Sequence, residues 1–84
     1  MSSYFVTFRS VTFAQRGEST LRRAGIDCTL QRTPKWMEER GCGYCLRLRQ
    51  KDVTPAVMLL RENEVGFRKV YVQRENGKLE ELAL

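Results

Sequence analysis

Three cysteines carry the strongest nucleophiles of this 84-residue chain, which contains no histidine. Two of them fall in the stretch Arg40-Gly41-Cys42-Gly43-Tyr44-Cys45, and Cys28 lies upstream. The thiolate, not the thiol, is the reactive form of such a residue. Histidine, the commonest general base, is missing. No glycine-rich phosphate loop or metal-ligand cluster appears. The chemistry open to the chain is that of sulfur: a group carried on one thiol, a dithiol, or a metal thiolate.

Spacing separates these options. A C-x-x-C redox pair usually sits at a helix N-terminus, whereas Tyr44 to Arg49 alternates like a strand. Tyr44, Leu46 and Leu48 share one face, and Cys45, Arg47 and Arg49 share the other. Residues three apart in an extended chain are separated by roughly 10 Å, while a disulfide tolerates a Cα separation of up to about 7 Å. Cys42 and Cys45 can pair only if Gly43 bends the chain, so Cys45 stands as a secondary candidate thiol. A structural zinc site wants four nitrogen or sulfur ligands, and this sequence predicts no metal and no cofactor. Cys42 remains the principal candidate. Gly41 and Gly43 leave room beside it for a partner's backbone or a bulky adduct. Arg32, Lys35 and Arg40 lie near in sequence and favour the thiolate. A helical turn over Lys35 to Arg40 would point its negative end at Cys42 and act in the opposite direction.

These residues must be positioned by a small number of elements. Tyr4 to Phe8 is aromatic and β-branched and predicts a strand. Thr12 and Gln15 fit a capping box, with small or apolar residues at Val11, Ala14, Leu21 and Ala24 in helical spacing and Gly25 as the stop. Gly17 in mid-helix costs about 1 kcal/mol relative to alanine and predicts close packing on a sheet. Ile26 to Arg32 alternates as a half-buried strand, which makes Cys28 a small core residue. Thr33 and Pro34 predict a helix cap and first turn over Lys35 to Arg40, ended by Gly41. Asp52 predicts the cap of a second helix, with Pro55 in its first turn. Phe67 to Gln73 is a strand, and Asn76-Gly77 is a strong hairpin signal. Lys78 to Leu84 then folds back as an added strand or forms a helical turn. The order is β-α-β-β-α-β plus a tail, which predicts an α+β, ferredoxin-like sandwich with two helices on one face of an antiparallel sheet. Residues 1–74 form the domain and 75–84 a C-terminal extension.

Composition bounds what such a domain can be. Fifteen Lys and Arg against ten Asp and Glu give a net charge of +5. That raises nucleic-acid binding as an option beside a solvated mixed-charge surface. No apolar run approaches the roughly 20 residues that span a bilayer, and the N-terminus does not read as a signal peptide. The expectation is a cytoplasmic protein with free thiols.

With the elements placed, the chain resembles the family of selenium/sulfur carrier-like proteins, which are small bacterial proteins or domains of longer ones. The resemblance runs from about Tyr4 to Tyr71. It rests on Ser10-Val11-Thr12 at a helix start, Ala24-Gly25-Ile26 between helix and strand, Pro34-Lys35 before a loop, and Cys42-Gly43 at the loop's end. The chain departs from the family pattern at Lys35, where arginine is commoner, and at Arg32, where a proline is usual. Cys45 is outside the pattern. The resemblance implies a carrier rather than an enzyme, with Cys42 holding sulfur or selenium as a persulfide or selenopersulfide. The implied partners are donor and acceptor proteins, such as a cysteine desulfurase.

Two other readings compete. The fold order is shared with the RNA-recognition module, and Arg40 to Cys45 partly echoes its aromatic strand. Phe5 stands where that module has a stacking ring, but Cys42 and Arg47 replace two others. Alternatively the domain is an interaction module without thiol chemistry, since exposed sheet edges favour pairing, including that of two copies. Trp36 and Met37 read as loop packing, and Glu38-Glu39 and Glu80-Glu81 as solvated surface.

Overall fold

A computed structural model of the chain describes residues 2–34 and 43–82. The elements run β1 (Ser3–Phe8), α1 (Val11–Arg23), β2 (Thr29–Arg32), β3 (Tyr44–Leu48), α2 (Val53–Glu62), β4 (Val70–Gln73) and β5 (Leu79–Leu82). The fold is α+β, and the five strands form one antiparallel sheet in the order β2-β3-β1-β4-β5. β1 is central because its aromatic and β-branched residues can be buried on both faces. It pairs Phe8 with Tyr44 and Tyr4 with Leu48 on one side, and Val6 with Val70 on the other. The sheet goes beyond the expected four-strand sandwich by β5. Lys78 to Leu84 had two readings, and residues 79–82 take the strand.

The side-chain period of two along each strand decides which face holds the core. Tyr4, Val6 and Phe8 from β1, Leu46 and Leu48 from β3, and Val70 and Val72 from β4 meet Ala14 and Leu21 of α1 and Val57 and Leu60 of α2. Both helices therefore cover the same face. Gly17 is buried in α1, and a Cβ there would lie 2.9 Å from Phe8 Cζ and 3.3 Å from Leu46 Cδ1. The glycine lets helix and sheet approach, as its position predicts.

Several boundaries shift for local reasons. α1 is capped by Ser10, not by a box starting at Thr12: Ser10 is extended, and its Oγ accepts from the Phe13 N–H at 3.4 Å. Thr12 is already inside the helix. At the other end Gly25 has φ +80°, the left-handed conformation that ends a helix. The Ile26 N–H then donates to the Leu21 carbonyl at 2.9 Å. That bond keeps Ile26 out of the sheet, so β2 begins only at Thr29. Asp52 does not cap α2 with its side chain. A 3-10 turn over Gln50–Asp52 leads straight into the helix, which leaves Asp52 in helical geometry. Its carboxylate forms an ion pair with Arg49 at 3.5 Å instead. β4 begins at Val70 rather than Phe67, whose ring packs against the core under the Arg61 guanidinium. Gly77 turns the last hairpin at φ +84°, and its N–H donates to the Arg74 carbonyl at 2.8 Å.

Candidate functional site

The segment that carries Cys42 leaves the sheet from β2 and returns through β3. Its described ends meet: the Thr33 N–H donates to the Gly43 carbonyl at 3.0 Å, continuing the β2–β3 ladder by one rung. Thr33 is thus tied to the sheet through its backbone. A Cβ on Gly43 would lie 3.0 Å from Thr33 Oγ1, so glycine makes this rung tight. Pro34 is half-buried beside it. Gly41, Cys42, Lys35 and Arg40 lie outside the described residues, as do the proposed turn over 35–40, Trp36, Met37 and the Glu38-Glu39 pair.

The other two thiols are placed where sulfur chemistry is suppressed. Cys45 is fully buried on the face of the sheet opposite the helices, against Phe5 and Tyr71. Burial pushes its thiol up to about 11, and the neighbouring Thr33 hydroxyl works more weakly in the other direction. That hydroxyl is itself buried and makes no hydrogen bond of good geometry, so its effect on the sulfur is a contact rather than a bond. Cys28 is also buried, in the main core. Its thiol is raised mainly by burial, against the pull of Arg22, whose guanidinium donates to the Cys28 carbonyl at 2.7 Å. A thiol held protonated is a poor nucleophile and a poor metal ligand. Among the described residues no three metal-ligating side chains come together.

Arg32 ends β2, opposite Tyr44 in the ladder, with its guanidinium 5.9 Å from the centre of that ring. Two further cations stand at this end of the sheet, which the sequence reading passed over. Arg9 and Arg16 lie 5.6 Å and 6.0 Å from the centre of the Phe13 ring. The signal for Arg16 was available: it follows Phe13 by three residues on a helix, the spacing at which side chains meet. Arg9 carries no such signal, because it belongs to the link between β1 and α1.

The opposite end of the sheet carries a cleft of about 690 Å³ lined by Arg22, Arg47, Arg49, Asp27 and Ser3. Its charge is largely settled internally. Arg49 pairs with Asp27 at 3.3 Å, Arg22 pairs with Glu18 at 3.4 Å, and Arg47 donates to Ser3 Oγ at 3.1 Å. Phe5 is only 5% exposed, so its ring offers no open face to a base.

A small α+β domain whose two described thiols are buried, with a segment between β2 and β3 that is closed at its base, is the class of protein that emerges. The chain belongs to the family described as "Putative Se/S carrier protein-like", whose model matches residues 3–72. No curated protein and no solved structure matches it significantly. The family match runs from the start of β1 into β4 and stops short of β5. No helix among the described residues is long and apolar enough to cross a membrane.

Proposed function

We propose that this protein carries sulfur or selenium on Cys42. The observation that supports this most is the fate of the other two thiols. Cys28 and Cys45 are 5% and 0% exposed and both are pushed toward the protonated form. A carrier needs one accessible thiol, and Cys42 is the cysteine left for that role. The family match supports the cargo.

The transfer balances without an added oxidant. The Cys42 thiolate attacks the outer sulfur of a donor persulfide, the donor's S–S bond breaks, and its electron pair leaves with the donor thiolate. Cys42 then holds the persulfide, and an acceptor thiolate takes the outer atom by the same displacement in reverse. A donor bearing selenium as the outer atom reacts in the same way. The donor is a protein such as a cysteine desulfurase, and the setting is a reducing cytoplasm in a bacterial cell. We read β1 to β4 with α1 and α2 as a ferredoxin-like core, with 75–84 as an extension. The placing of β3 between β1 and β2, and of β1 between β3 and β4, supports that reading.

Intact-mass measurement after incubation with a persulfide donor tests the carrier reading. The expected result is one sulfur-sized adduct on the wild type and none on Cys42→Ser. An adduct that survives in Cys42→Ser, or no adduct on the wild type, would overturn it.

A further inference from the structure

The end of the sheet from which the Cys42 segment emerges carries three guanidinium groups, those of Arg9, Arg16 and Arg32. Arg9, Arg16 and Arg32 are exposed, and among the described residues none of them pairs with a carboxylate. Each guanidinium lies over an aromatic ring: Phe13 for Arg9 and Arg16, and Tyr44 for Arg32. Both rings are partly buried against the core, so the planes beneath the guanidiniums are fixed. This contrasts with the cleft at the far end, where Arg22 and Arg49 are answered by Glu18 and Asp27.

The three cations share one side of the molecule for topological reasons. Arg9 follows directly on β1, and Arg32 ends β2, with β3 between them. At about 4.8 Å per strand their backbones are about 10 Å apart. Phe8, Tyr44 and Arg32 form a continuous row across the three strands. α1 starts at this same end, and its first turn contains no acidic residue, although a helix N-terminus favours one. Its unanswered positive end adds to the field of the arginines. Thr33 and Gly43, which close the base of the Cys42 segment, adjoin this row.

We propose that Arg9, Arg16 and Arg32 form the docking surface for an acidic protein segment that surrounds the persulfide of the sulfur donor. The proposal rests on Cys42 being the carrier thiol. Charges with no carboxylate partner among the described residues, fixed over rings and spread over about 10 Å, suit several carboxylates on one extended segment. Nucleic acid fits less well. The rings below the guanidiniums are packed into the core, and Phe5 on the open face is buried, so bases find no stacking platform.

Two peptides test it: Gly-Glu-Glu-Cys-Glu-Glu-Gly as its persulfide, and the same peptide with Ser for every Glu. Persulfidation of Cys42 is followed by intact mass at low salt. The acidic donor is expected to react about tenfold faster than the neutral one, through electrostatic steering. The ratio of the acidic to the neutral donor's rate should fall to about one in the triple variant R9Q/R16Q/R32Q and at high salt; taking the ratio cancels any change in the Cys42 thiolate itself from the loss of Arg32. A second arm does not depend on Cys42. A fluorescent acidic peptide with Ser for Cys should bind the wild type several-fold more tightly than the triple variant. Circular dichroism verifies that the variant is folded, and the single variants, each expected to lose part of the effect, replace it if it is not. Equal binding to wild type and variant overturns the docking surface, whatever Cys42 does. Weaker binding by the variant with no adduct on Cys42 keeps the surface and sinks the carrier reading. A single-stranded oligonucleotide that binds more tightly than the peptide, and loses its binding in the triple variant, assigns the surface to nucleic acid and overturns the proposal.

Discussion

At the scale of single residues, burial decides which sulfur can react. Cys45 follows Gly43 by two residues and Cys42 by three, yet it is sealed on the helix-free face with its thiol pushed up to about 11. That shift has a sign for stability. The folded state holds the proton more tightly than the unfolded chain, whose thiol titrates near the ordinary value of 9.0. The stabilisation is complete below about pH 9 and is lost as pH rises through about 11. It amounts to roughly 3 kcal/mol, at 1.36 kcal/mol for each pH unit. Urea unfolding of wild type and Cys45→Ala at pH 8 and pH 11.5 should show the gap between them narrowing at high pH. A gap that stays constant would mean that Cys45 does not feel its burial. The thiol's placement was half legible. Its strand and its face followed from the alternation over Tyr44 to Arg49, but a strand face away from the helices would ordinarily be wet. Its full burial could not be read from the sequence.

At the scale of elements, α1 shows how a local penalty serves a non-local contact. Alanine is better than glycine within a helix by about 1 kcal/mol, so helix propensity alone favours Gly17→Ala. The packing opposes it more strongly. The new Cβ would meet the Phe8 ring at 2.9 Å, and Phe8 is 1% exposed, so the ring has nowhere to move. Overpacking of this kind costs about 1–3 kcal/mol. We expect a net destabilisation of about 1 kcal/mol in denaturant unfolding, and a more stable variant would show that the helix can lift from the sheet. The cap of this helix was misread because Thr12 with Gln15 satisfies the capping-box pattern as well as Ser10 satisfies a simple cap. Both fit the local rule, and the choice lies in where β1 ends, at Phe8.

At the scale of the whole molecule, β5 and the charge distribution matter most. β5 pairs along all of β4, and Leu82 packs against the core beside Val70. Ending the chain after Arg74 would leave β4 as a bare edge with an exposed apolar flank, a template for association. The truncated form is expected to unfold at lower denaturant and to elute larger than a monomer in size-exclusion chromatography. An equally stable monomer would show that β5 is dispensable to the sheet. The net charge of +5 is also unevenly held: Arg22 and Arg49 at one end of the sheet are answered by acids, whereas Arg9, Arg16 and Arg32 at the other pair with no carboxylate among the described residues.

The sequence by itself determined the order of elements, the faces of β1 and β3, the stop at Gly25, the turn at Gly77 and the emphasis on Cys42. All of these depend on residues within a few positions of one another, through side-chain period or backbone preference. The tertiary structure decided the rest. It extended the sheet with β5, shortened β2 and β4, buried Cys45, bound Thr33 to Gly43, and gathered Arg9, Arg16 and Arg32 at one end. Each of these depends on which strands become neighbours. That choice is made by burial and backbone pairing between segments far apart in the chain, and no local pattern records it.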